Sequence, residues 1–150
     1  MPCILRAFGK NFDAAKYVEK SPFKGIEKYL KGEPRYPFSK PDGPKNRVSG
    51  IMVRVSSGDF DNLPSQITDA ILFAKKYSKE LGKLVNVKGV ETVAFDFGIY
   101  KRDVMGQFDY FPSELLLLLG RSGVGLELSQ YVFSDDPKTG RRKKTGTKSA

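Results

Sequence analysis

The chain has 150 residues, 39% of them hydrophobic and 29% charged, a composition that excludes an intrinsically disordered protein and fits one domain. It contains no histidine and one cysteine, Cys3, which removes Ser-His-Asp and Cys-His catalysis, Cys/His zinc sites and an intramolecular disulfide. The net charge of +9 is unevenly placed: residues 1–54 carry 12 basic and 5 acidic side chains, residues 55–136 carry 8 and 12, and residues 137–150 hold six basic ones and no acid.

Cys3 to Phe8 reads as a short strand ended by Gly9. Asn11 and Asp13 are N-cap residues for a helix running to about Glu19. Pro22 and Gly25 interrupt it, and Ile26 to Leu30 predicts a further helical turn. Pro34, Pro37, Pro41 and Pro44 then argue against regular structure and predict a long surface loop or flap at 32–46. Val48 to Ser56 alternates as a strand, with Ile51, Val53 and Val55 to one side and Met52, Arg54 and Ser56 to the other. Asp61 and Asn62 suit a helix cap, and an apolar stripe from Leu63 to Leu81 predicts one amphipathic helix closed by Gly82. Val90 to Tyr100 is a third strand, Glu114 to Leu119 a short helix closed by Gly120, and Gly123 to Phe133 a fourth strand.

The fold class that follows is α+β: a single domain over 1–133 with a mixed four-stranded sheet, order β-α-β-α-β-α-β along the chain, and helices mainly on one face. Helices between strands favour crossovers and some parallel pairing. Residues 134–150 read as a disordered basic tail. Residues Met1 to Phe8 are too short and mixed for a signal peptide, and the longest apolar run, Leu115 to Leu119, is far below the ~20 residues of a membrane span. The expectation is a cytoplasmic protein that makes no membrane contact.

Alternation assigns Leu5, Ile51, Val53, Val55, Val93, Phe95, Phe97, Val124, Leu126 and Leu128 to the face that meets the helices. The opposite, open face would carry the charges Arg6, Arg54, Asp96 and Glu127 beside Ile4, Phe8, Met52, Tyr100 and Tyr131. Such a face is partly solvated or covered by another chain, and a symmetric homodimer would set Arg6 or Arg54 against Asp96 or Glu127 of a second copy.

Few motifs point to chemistry. Gly120-Arg-Ser-Gly-Val-Gly125 precedes a strand, whereas a phosphate cradle precedes a helix; helix termination accounts for it. Asp59-Phe-Asp61-Asn62 lacks the further oxygens and fixed glutamate of a calcium loop. No spacing singles out a carboxylate pair, and no metal or cofactor is expected. An enzyme without histidine would need Asp96 or Glu127 as base, in a pocket roofed by residues 32–46. Between Phe95 and Phe111, aromatics mix with Asp96, Asp103 and Asp109, a pattern that suits a protein interface and would repel a polyanion.

At Ser49–Ser56, Phe60–Ile71, Val90–Ile99 and Phe111–Leu116, covering about residues 45–131, the chain resembles a loosely defined family of small, uncharacterised bacterial proteins. Some relatives in that family are immunity partners of secreted polymorphic toxins. The resemblance implies a cytosolic bacterial protein and favours toxin neutralisation.

The leading expectation is therefore a non-catalytic domain that binds another protein through Tyr100, Asp103, Phe108, Asp109 and Tyr110, as an immunity protein binds a toxin. The alternative is nucleic-acid binding by the basic N-terminal third and the tail residues Arg141, Arg142, Lys143 and Lys144.

Overall fold

The computed structural model describes residues 2–132; the expected tail, with Arg141 to Lys144, lies outside them. The elements in chain order are β1 (Cys3–Gly9), α1 (Ala14–Glu19), β2 (Ile26–Tyr29), β3 (Pro34–Tyr36), β4 (Lys40–Lys45), β5 (Ser49–Ser56), α2 (Leu63–Lys76), α3 (Ser78–Leu84), β6 (Thr92–Lys101), α4 (Ser113–Arg121) and β7 (Gly125–Val132). The fold is α+β, with a mixed five-stranded sheet in the order β2-β5-β1-β6-β7 and a separate β3-β4 pair. No helix among the described residues is long and apolar enough to cross a membrane.

All four expected strands form, and the sheet gains a fifth. Ile26–Tyr29 is an edge strand antiparallel to β5 rather than a helical turn. So short a segment cannot offset the cost of helix nucleation, whereas the outer edge of β5 offers it ready hydrogen-bond partners. Among the described residues, β6 and β7, joined across α4, are the parallel pair of the five-stranded sheet, and its other three pairings are antiparallel.

The proline-rich segment is also regular. Pro34 pairs with Lys45 and Tyr36 with Lys40, and the base is closed by Gly32 N–H to the Asn46 carbonyl (2.9 Å) and Asn46 N–H to the Glu33 carbonyl (2.9 Å). A two-stranded ribbon needs only alternate N–H groups from each strand, so prolines are accommodated on its outward edges. The ribbon packs mainly on itself and stands away from the sheet as an arm, rather than roofing a pocket.

One continuous helix was expected from Leu63 to Leu81. It divides at Tyr77, whose ring packs 4.7 Å from Phe73 and 5.2 Å from Phe23, and whose backbone (φ −110°, ψ 24°) leaves the helical basin. The redirected α3 then buries Leu81 and Leu84 completely, with Gly82 inside it and not at its end. Asn62 caps α2 as expected, its Oδ1 accepting from Ser65 N–H at 3.1 Å, and Asp13 caps α1 through Lys16 N–H at 3.0 Å. α4 is closed by Gly123 (φ 71°), not Gly120: Val124 N–H reaches the Leu119 carbonyl and Gly123 N–H the Gly120 carbonyl, a Schellman arrangement.

The helices share one face of the sheet. Cys3, Leu5, Ala7, Ile51, Val53, Phe95 and Phe97 are sealed there, and the larger of these side chains contribute roughly 1.5–3 kcal/mol each. Burial raises the Cys3 thiol, with Asp96 and Asp69 adding to the effect, so the chain's cysteine stays protonated and inert.

Candidate interaction surface

The register brings the expected charges together in one row across the open face. Arg54 of β5, Ile4 of β1, Asp96 of β6 and Glu127 of β7 are successive cross-strand neighbours, with Arg6 one step along β1. The Arg6 guanidinium donates from Nη1 to Asp96 Oδ2 at 3.1 Å and to Glu127 Oε2 at 3.3 Å, and Ser129 Oγ donates to Asp96 Oδ1 at 2.7 Å. Asp96 is 6% exposed and has a donor on each oxygen. The row is satisfied within the chain and does not require charges from a second copy; Arg54 remains exposed at its end.

Beyond the end of β1, residues after β5 wrap around to continue the sheet. Tyr100 N–H donates to the Phe60 carbonyl, and the Phe60 ring lies over Gly98, where an added Cβ would come within 2.7 Å of it. Phe60 stands 5.2 Å from both Tyr100 and Tyr131, so these two expected open-face aromatics join a three-ring cluster. The Gln66 amide anchors the wrap by donating to the carbonyls of Asp59 (2.8 Å) and Gly98 (2.9 Å). Phe60 was legible as a turn residue, but its place on this face depends on that long-range anchor.

From this corner the chain leaves β6 and runs through residues 102–112 into α4. The segment is cross-braced at its base. Arg102 Nη2 donates to Asp109 Oδ1 at 2.9 Å, Gln107 Nε2 donates to Asp109 Oδ2 at 3.0 Å, and Arg102 N–H donates to Gln107 Oε1 at 2.9 Å. Phe111 fastens the far end by packing edge-on against Phe97 at 5.1 Å. What the brace holds outward is apolar: Val104 and Met105 are exposed, Phe108 is 90% exposed and Tyr110 78%. Scattered exposed apolar side chains are ordinary, but four within seven residues on a braced loop form a patch.

Of the expected contact residues, Asp103, Phe108 and Tyr110 are exposed and Tyr100 is half-buried at the loop's base. Asp109 is directed inward, its side chain 11% exposed and both oxygens engaged, so it shapes the loop. Val104 and Met105 were not singled out in the sequence, although an apolar pair beside Gly106 in a polar turn was a readable signal. Neither of two surface concavities, one of about 550 Å³ between α1 and residues 87–89 and one of about 450 Å³ along α4, includes Asp96 or Glu127. Comparison with protein-family models, curated proteins and solved structures finds no match to the chain.

Proposed function

We propose that this is a non-catalytic protein-binding domain whose contact surface is the braced loop 102–110, acting as immunity proteins do by covering a toxin's working surface. The observation that carries the reading is the exposure of Val104, Met105, Phe108 and Tyr110 on a loop held by Arg102, Gln107 and Asp109. Apolar anchors presented in a pre-ordered geometry bind tightly because little conformational entropy remains to be lost. Asp103 beside the patch, with Asp59 and Asp61 near Phe60, favours a partner with a basic rim and a faster encounter. The test is co-expression with each neighbouring secreted effector: growth rescue and a co-purifying complex are expected, both lost in Phe108→Ala/Tyr110→Ala. Failure of rescue and of complex formation with every adjacent gene product overturns the reading.

One observation favours a second reading, nucleic-acid binding. The β3–β4 arm exposes Arg35, Lys40 and Lys45 together with Tyr36 and Phe38, an interleaving of cations and stacking rings suited to a single strand. Salt-dependent binding of an oligonucleotide, weakened by Arg35→Gln/Phe38→Ala, supports it; undetectable or salt-insensitive binding eliminates it.

A further inference from the structure

At the end of β6 opposite the braced loop, Lys16, Tyr17 and Lys20 face Val87, Lys88 and Gly89 across the cleft of about 550 Å³. That volume falls within the roughly 300–1,000 Å³ of small-molecule sites. Two backbones approach closely beside the cleft. A Cβ on Gly9 would lie 1.9 Å from the Gly89 carbonyl oxygen, and one on Gly89, at φ +87°, would lie 2.2 Å from that of Asn11. Only glycines permit this approach, which draws the turn at 87–90 against the start of α1.

The charge around the cleft is unbalanced. Three lysines line it, and none forms an ion pair among the described residues. The carboxylate on the lining, Asp13, already accepts from Lys16 N–H as the cap of α1. The lining residues thus carry a net charge of +2, with the Glu80 carboxylate acting on Tyr17 from outside the lining, and that excess suits a dianion better than a carboxylate. Lysine is a point-charge partner for phosphate. Tyr17 and Val87 also line the cleft, and the lysines bring apolar stems with their ammoniums. Burial raises the Tyr17 phenol above its ordinary range, so the ring brings no negative charge to the site at neutral pH.

We propose that this cleft binds a small organic phosphate carrying a planar ring, of the mononucleotide class, with the ring against Tyr17 and Val87 and the phosphate held by Lys16, Lys20 and Lys88. The site is separate from loop 102–110 and stands or falls independently of the protein-binding reading.

The test uses the full chain, isotope-labelled, with amide shifts followed by NMR during titration with adenosine monophosphate, adenosine and inorganic phosphate. Adenosine monophosphate should shift amides of residues 11–20 and 87–89 and bind more tightly than either of its parts. Each exposed lysine replaced by glutamine should weaken binding about two- to fivefold, and Lys16→Gln/Lys20→Gln/Lys88→Gln by about tenfold or more. The thermal midpoint should stay unchanged, since the ammoniums make no ion pair among the described residues. Binding should also weaken between about 20 and 200 mM salt as the charges are screened. No shift at these amides with about 5 mM adenosine monophosphate overturns the proposal. So does equal binding by the triple variant, equal affinity for inorganic phosphate alone, or a shift pattern centred on residues 33–46.

Discussion

Deleting the guanidinium of Arg6 tests whether the open face is held by charges within one chain. Arg6→Met keeps an apolar stem over the sheet and leaves Asp96 with Ser129 as its remaining side-chain donor. The side chains of Arg6 and Asp96 are 30% and 8% exposed. Breaking a fully buried pair costs about 3–5 kcal/mol, and an exposed one about 0–1 kcal/mol. The intermediate burial of this pair gives an expected loss of about 2 kcal/mol. Glu127, with its side chain 47% exposed at 3.3 Å, should matter less, and Glu127→Gln should cost about 0.5 kcal/mol or less. Arg6→Met also loses the guanidinium's position 5.7 Å over the Phe8 ring, so the single variant alone does not isolate the ion pair. A double-mutant cycle with Asp96→Asn does, and it should return a coupling of about 1 kcal/mol. Urea unfolding at neutral pH, followed by circular dichroism with sedimentation in parallel, measures each corner. Additivity within about 0.3 kcal/mol refutes the contact. A wild-type chain that sediments as a dimer and becomes a monomer in Arg6→Met would show instead that the charges act between copies.

Three further outcomes are expected. Phe108→Ala/Tyr110→Ala should leave unfolding within about 0.5 kcal/mol of the parent, because both rings are exposed, while weakening a partner complex by about 2 kcal/mol or more; equal losses in stability would show that the rings support the fold. Gly98→Val should destabilise by about 1–3 kcal/mol by displacing the Phe60 ring, and Phe60→Ala in that background should recover part of the loss; a neutral Gly98→Val would place Phe60 elsewhere in solution. Stability should fall above about pH 9, because folding raises the Cys3 thiol above its ordinary 9.0, chiefly by burial, and burial likewise raises the phenols of Tyr17 and Tyr29 above 10.0. The unfolded chain sheds these protons first, so this stabilisation is complete below about pH 9 and is lost as pH rises; urea unfolding from about pH 7 to 11 should show a shallower decline in Cys3→Ala, and identical slopes would refute the assignment.

The features that could be read from sequence are those whose cause lies within a few residues. Strand alternation in Cys3–Phe8 and Ser49–Arg54 reports the period of the pleat, though Ser56, expected beside Arg54, is turned to the helices by an irregularity in the β1–β5 register and donates to Asp69 of α2. Caps such as Asp13 and Asn62 act on an N–H three residues on. The mixture of aromatics and acids between Phe95 and Phe111 did not separate the buried Phe95, Asp96 and Phe97 from the exposed Asp103, Phe108 and Tyr110, nor Asp109, which braces the loop, from Asp103, which is exposed. Tertiary structure decided what depends on distant partners. Ile26–Tyr29 became a strand because β5 presented an edge, and the long helix divides at Tyr77, whose ring packs against the distant Phe23. Arg6 and Asp96 are 90 residues apart, and nothing local distinguishes them from charges that remain in water. Gly9 and Gly89 each look like an ordinary turn glycine, and only the fold shows how closely their backbones approach beside the cleft. Local free-energy preferences are written in neighbouring residues, whereas burial, ion pairing and cavities arise when the folded chain brings remote segments into the same space.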